Sequence, residues 1–214
     1  AFERPEHDWT TAPFARAPGD DLIGSTEPRL FTPPLRELTP ETSLGFECIA
    51  FAVIALGMEL DPWQCWFLIH ALELREDGAY RFRTILLLVS RQQGKTTVMR
   101  ALTLWAIYTG RVKLAVGTAQ DLDVARECWE SAVDQVEADE ELAEQIAGPR
   151  HRATRGNGKE VLRLVNGARY KIKATTVDAG RGIPGVGLLL ADELRTHRDY
   201  AAWAALSKTA LAVP

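Results

Sequence analysis

One stretch of this chain holds the residue types that phosphate chemistry needs, at the spacing it needs them. Ser90-Arg91-Gln92-Gln93-Gly94-Lys95-Thr96-Thr97 follows the apolar residues Leu86–Val89 and leads into a helix-forming segment. A strand, a tight polar loop and a helix N-terminus in that order can wrap phosphates in successive backbone N–H groups. Gly94 would let the backbone approach closely. Lys95 would reach the β- and γ-phosphates, and the Thr96 hydroxyl would bind Mg²⁺. The usual pattern is GxxxxGK[ST], and the first glycine position here is Val89. Without a partner motif the same residues would be an ordinary turn into a helix.

The partner is Leu188-Leu189-Leu190-Ala191-Asp192-Glu193, an apolar strand ending in two acids. Carboxylates at the carboxyl end of a parallel strand stand at the ligand crevice of an α/β sheet. Asp192 would hold Mg²⁺, directly or through water. Glu193 would orient and polarise an attacking water. Alone, the pair reads equally well as a solvated acidic turn. Upstream, Gln64 has a side-chain amide that can donate to and accept from an adenine edge at once. Trp63 or Trp66 could supply an aromatic face. Gln64 also sits three residues after Asp61, the spacing of a capping box, so a purely structural role is equally open.

The elements that must position these residues can be read from periodicity and punctuation. Residues 1–38 hold Pro5, Pro13, Pro18, Pro28, Pro33 and Pro34 with little periodicity, and read as an extended arm before a domain at 39–214. Thr39-Pro40-Glu41 predicts a helix start, running to about Ala55 with Gly57 as its stop. Asp61–Gln64 starts a second helix, ending near Arg75. Phe82–Val89 is expected to be a buried strand, followed by a helix from Lys95 to Tyr108 closed by Gly110. Lys113–Gly117 reads as a strand and Leu122–Ile146 as one long acidic helix. Asn166-Gly167 between Val161–Val165 and Ala168–Ile172 signals a hairpin. Gly187–Ala191 is a short strand, and Asp199–Leu211 is helical in pattern. Strands alternating with helices predict an α/β fold with a mainly parallel central β-sheet flanked by helices on both faces.

Composition excludes several classes. The net charge is −4, so any nucleic-acid partner must be met by a local patch. No apolar run approaches the roughly 18 residues of a membrane span, and no basic-then-apolar leader opens the sequence. Cys48, Cys65 and Cys128 are odd in number and far apart, which suits packing in a reducing compartment better than a disulfide or zinc framework. Charge is blocked along the chain. Glu127–Glu144 is acidic with no Lys or Arg. From Arg150 to Arg181 the cations Arg150, Arg152, Arg155, Lys159, Arg163, Arg169, Lys171, Lys173 and Arg181 meet only Glu160 and Asp178. Arg150, Arg152, Arg155, Lys171 and Lys173 are candidates for phosphate contacts with DNA. Strand alternation puts Arg169, Lys171 and Lys173 on one face. The same block could instead pair with the acidic helix before it, or with that helix of a neighbouring copy. Nothing in it suits base readout.

Together these motifs resemble the ATPase domain of the large terminase subunit of tailed bacteriophages, over roughly Leu60–Arg195. The Arg-Gln loop without a leading glycine looks like that family's variant Walker A, Pro62-Trp63-Gln64 like its adenine motif, and Leu188–Glu193 like its Walker B with catalytic Glu. Val116–Gln120 looks like its strand-to-helix motif after the loop. The resemblance implies an additional-strand (ASCE) P-loop NTPase fold, ATP and Mg²⁺ as cofactors, and hydrolysis that drives double-stranded DNA into a prohead. It implies a homo-oligomeric ring, pentameric on the family's pattern, docked on a portal protein with a small terminase subunit, in the cytoplasm of an infected bacterial host. It implies that Arg91 contacts the γ-phosphate in cis and offers Arg181, within Gly180–Gly185, as a trans-acting finger; a solvent-exposed turn arginine is the alternative there. The family also carries a coupling motif and a C-terminal nuclease domain. Neither has room before Pro214, so a truncated ATPase domain without cleavage activity is expected. A superfamily 2 helicase-like DExx ATPase shares the upstream Gln, the Walker A and the Asp-Glu pair, but requires a second RecA-like domain. A nucleotide-binding docking module without turnover is the non-enzymatic alternative.

Overall fold

The computed structural model describes residues 25–119, 122–156, 159–174 and 185–192. The chain divides into two compact units, Ala1–Leu102 and Thr103–Pro214.

Unit 1 is helical. Its first helix, α1, spans Gly45–Ala50 and continues as a π-helical turn, Phe51–Ala55. The expected start at Thr39 gives only one turn, closed by Thr42 and Ser43 N–H groups on the Thr39 carbonyl. The helix is delayed because the backbone has a competing partner. Ser43 bridges Glu73, the Leu44 N–H donates to the Leu72 carbonyl, and the Leu74 N–H donates to the Thr42 carbonyl. Gly57 ends the element with φ +59°, the left-handed conformation that glycine adopts at no steric cost. Helix α2 spans Pro62–Ala71, with Asp61 as N-cap and a complete capping box to Gln64. It stops short of the expected Arg75 because Glu73 and Leu74 are taken into the bridges with Ser43 and Tyr80. The two helices cross closely at Gly45, where a Cβ would meet the Ile69 backbone at 2.3 Å. The Glu73 carboxylate, buried, accepts from Arg81 at 2.6 Å and from the Leu35 N–H at 2.7 Å, which fastens the 33–36 segment to the helices.

The expected strand Phe82–Val89 is not a strand. It runs without ladder partners among the described residues, and Leu86 and Leu88 are 69% and 83% exposed. An apolar, β-rich run needs a neighbouring strand to complete its hydrogen bonds, and unit 1 has none among its described residues. Helix α3, Lys95–Tyr108, begins where the sequence placed it and contains the division between the units.

Among its described residues unit 2 carries a four-stranded mixed sheet in the order β2-β3-β1-β4, with β1 Leu114–Ala119, β2 Val161–Arg163, β3 Arg169–Ala174 and β4 Leu188–Ala191. β1 is parallel to both β3 and β4, and β2 is antiparallel to β3. Helix α4, Leu122–Ala138, packs on β1 and β3 through a stripe that includes Ala125, Trp129, Val133 and Val136, all buried. Their spacing follows one helical face. The single acidic helix expected to reach Ile146 is two: α5 spans Glu140–Glu144. Asp139 breaks it, in extended conformation with its carboxylate accepting from the Leu142 N–H, which is the N-cap role aspartate favours.

The hairpin tip is a three-residue loop. Leu164 and Ala168 close it, and only Gly167 is left-handed, at φ +84°. A two-residue type I′ turn would need positive φ at Asn166 as well. Asn166 instead donates to the Ile107 carbonyl at 2.8 Å, satisfying an end of α3, while its side-chain oxygen accepts from the Ala168 N–H. The expected helix Asp199–Leu211 lies outside the described residues, as does the arm before residue 25.

Candidate functional site

The loop between Val89 and α3 is shaped by two left-handed residues, Gln92 at φ +60° and Gly94 at φ +79°. Alternation of hand along a short loop turns successive N–H groups toward a common side, the concavity that receives anions. Gln92 bears a cost for this conformation that glycine would not. A side chain at Gly94 would be strained by the positive φ, and its Cβ, 2.4 Å from the Gln64 Nε2, would displace that amide. The Lys95 Nζ folds back over the loop and donates to the Ser90 carbonyl at 3.1 Å. Arg91, Gln92, Gln93 and Thr96 are exposed, and Gly94, Lys95 and Thr97 are half-buried. The loop is thus open to a ligand, with its ammonium tethered by one neutral bond.

Gln64 is 2% exposed and joins two elements. Its Oε1 accepts from the Asp61 N–H at 2.7 Å, closing the capping box of α2. Its Nε2 donates to the Gly94 carbonyl at 3.1 Å. The capping reading is therefore realised, and the same side chain also holds the loop. Sequence spacing gave no sign of this contact across thirty residues. Trp63 is half-buried. Trp66 is already stacked on His70, with ring centroids 3.6 Å apart, and stands perpendicular to Phe31 at 5.1 Å. Cys48 on α1 and Cys65 on α2 are buried. Burial pushes both thiols up, Cys65 to about 11, so neither is a ready nucleophile.

In unit 2, Asp192 follows β4 directly. Its N–H donates to the Thr118 carbonyl at 3.0 Å, and the buried Thr118 hydroxyl donates to the Leu190 carbonyl at 3.2 Å. These bonds fix the backbone at the carboxyl ends of two adjacent parallel strands. Glu193 and Arg181 lie outside the described residues. Within unit 1, then, the structure brings together Gln64, Ser90, Gly94 and Lys95. Asp192 stands at a strand end in unit 2.

The basic block divides. Arg152 bonds Glu137 at 2.7 Å, and Arg155 bonds Glu137 at 2.8 Å and Asp134 at 2.7 Å. The Ala153 N–H donates to the same Glu137 carboxylate. Of the three fates open to these two arginines, pairing with the preceding acidic helix is the one formed. Arg150 is exposed on a left-handed backbone, φ +56°. Lys171 and Lys173 stand on β3, half-buried and exposed respectively. Compared with family models, curated proteins and solved structures, the chain gives no match. Among the described residues no helix is long and apolar enough to cross a membrane.

Proposed function

We propose that this chain is the ATP-hydrolysing motor domain of a viral DNA-packaging terminase, with an ASCE-type P-loop NTPase fold. The observation that carries the reading is the loop itself. Left-handed Gln92 and Gly94 lead straight into the N-terminus of a 14-residue helix, with the Lys95 ammonium lying back over the loop. This is the arrangement in which backbone N–H groups, a helix N-terminus and one cation act together on phosphates.

In this reading, ATP seats its β- and γ-phosphates in the Ser90–Thr97 loop. Lys95 exchanges the Ser90 carbonyl for a phosphate oxygen, a charge-assisted bond of about twice the strength of a neutral one. Thr96 and Asp192 offer hard oxygen donors, which suit Mg²⁺, an ion that takes few protein ligands beside phosphate and water. When bound, the ion would neutralise charge on the phosphates. Glu193 accepts a proton from the attacking water as its oxygen bonds to the γ-phosphorus and the β–γ bridging bond breaks, releasing ADP and phosphate. Arg91 stabilises the γ-phosphate in cis, and Arg181 is the candidate finger on a neighbouring subunit. The ring, the portal and small-subunit partners, and the duplex DNA cargo belong to the same proposal.

Nucleotide binding and ATP turnover by wild type, Lys95→Ala and Glu193→Ala test it. Lys95→Ala is expected to lose binding and turnover together. Glu193→Ala should keep ATP bound and lose turnover by a factor of about 10² or more. Turnover unchanged in Glu193→Ala would sink the catalytic assignment. Binding without any wild-type turnover would indicate a nucleotide-sensing module instead.

A further inference from the structure

The sheet of unit 2 presents a cationic stripe. Residues paired across strands share a face, and successive residues alternate. Arg163 stands opposite Arg169, and Lys171 and Lys173 follow on the same face of β3. The intervening Tyr170 and Ile172 are buried on the other face, with Leu162. Glu160, the nearest acid in sequence, falls on that other face and is bonded to Arg126. None of the four cations has a carboxylate partner among the described residues. Toward β1 and β4 the same face turns apolar, with Leu114 and Val116 packed against Val186 and Leu189. Burial holds the Lys171 ammonium below its usual range, and the three neighbouring cations, Arg169, Arg163 and Lys173, act on it in the same direction as burial.

We propose that this face of the β2–β3 hairpin, through Arg163, Arg169, Lys171 and Lys173, seats the phosphate backbone of duplex DNA. The inference deepens the motor reading and rests on it for the choice of DNA among polyanions. Four like charges on one face suit a polyanion, and nucleic-acid interfaces are polar and strongly positive. The strand carries its one aromatic, Tyr170, on the buried face. The stripe thus lacks the stacking platform that single-strand binders use. At about 3.3 Å rise per residue, Arg169 to Lys173 spans about 13 Å. Measured along the helix axis, one strand of a duplex presents a charge about every 3.4 Å, so about four fall within that length. Contacts of this kind ignore sequence, as a motor that moves any DNA requires.

The test is fluorescence anisotropy of a short labelled duplex with the 214-residue chain and no nucleotide, so that it stands apart from turnover. Four phosphate contacts predict a slope of about −3.6 for log affinity against log salt, or about a hundredfold loss between 50 and 200 mM. Arg163→Gln and Lys173→Gln, both at exposed positions, should each weaken binding several-fold and reduce the slope by about one. Both should leave basal ATP turnover unchanged and should not lower the melting temperature. The proposal is overturned if both variants bind duplex as wild type does. It is equally overturned if single-stranded DNA or poly-glutamate is held more tightly than the duplex. Loss of duplex binding in these variants supports it even if the chain proves to have no ATP turnover, in which case the motor reading alone fails.

Discussion

Two groups of cations, eight residues apart between Arg155 and Arg163, are indistinguishable in the sequence and have opposite fates in the fold. Arg152 and Arg155 close on Glu137, and Arg155 also on Asp134. Arg163, Arg169, Lys171 and Lys173 face one another. Residue type does not explain the difference, because both groups contain arginine. Geometry does. Asp134 and Glu137 are one helical turn apart on α4 and meet a segment of irregular backbone that can bring two guanidiniums to one carboxylate. Strand alternation turns the β3 cations away from the face that α4 covers. A basic block is therefore no measure of available charge; what counts is which carboxylates the topology puts within reach.

The sharpest way to break this comparison is to remove the hub. The Glu137 side chain is 4% exposed and satisfies Arg152, Arg155 and the Ala153 N–H. Glu137→Ala should cost about 2 kcal/mol of unfolding free energy in urea denaturation. That is less than a fully buried pair would cost, because the Arg152 and Arg155 side chains remain 62% and 40% exposed and can be resolvated. Burial would push the Glu137 carboxyl up, but the Ala153 N–H and the two guanidiniums together more than offset it and hold the carboxyl below its ordinary value. A group depressed on folding contributes stability above its unfolded pKa and loses it as pH falls through the folded one. Wild type should therefore lose this increment below about pH 4.5, and Glu137→Ala should not. A hub that could be deleted without cost would mean that the two cation groups differ in appearance only.

Arg155→Gln compared with Lys173→Gln gives a smaller but more discriminating contrast. The first should lower stability by about 1 kcal/mol and leave duplex affinity within twofold. The second should do the reverse. Equal losses of duplex affinity in both would show that the ion pairs to α4 open on binding, and the division between the groups would disappear.

What the sequence disclosed follows the same logic of reach. The turn at Gly94, the Asp61 cap, the Gly57 stop and the onset of α3 were legible because each is settled within a few residues of itself. The break at Asp139 had a signal, an N-cap residue before Glu140, which the acidic helical periodicity outweighed. Asn166-Gly167 announced a hairpin but not its loop length, since Asn166 is spent on the end of α3, a contact fifty-nine residues distant. The Gln64 contact to Gly94 and the Glu137 hub are tertiary and had no local trace. Phe82–Val89 is the plainest case. Its residues specify a preference for burial and extension, yet a strand also needs a neighbour, which composition cannot name.

The smallest expected effect tests the comparison from the cationic side. Burial and three like charges lower the Lys171 ammonium from its usual value, so its charged form is less favourable folded than unfolded. The sign is opposite to that of Glu137: the penalty is fully present below the folded pKa and is relieved as pH rises toward the ordinary lysine range, about 10.4. Lys171→Met keeps the apolar stem and removes the charge. At pH 7 it should raise stability by about 0.5 kcal/mol, the scale of like-charge opposition across strands. The gain should shrink in about 1 M salt, where the Debye length falls to about 3 Å. Urea denaturation at low and high salt measures both. If Lys171→Met is destabilising, or its gain is indifferent to salt, then an acid reaches the stripe, and these cations are held as Arg152 and Arg155 are.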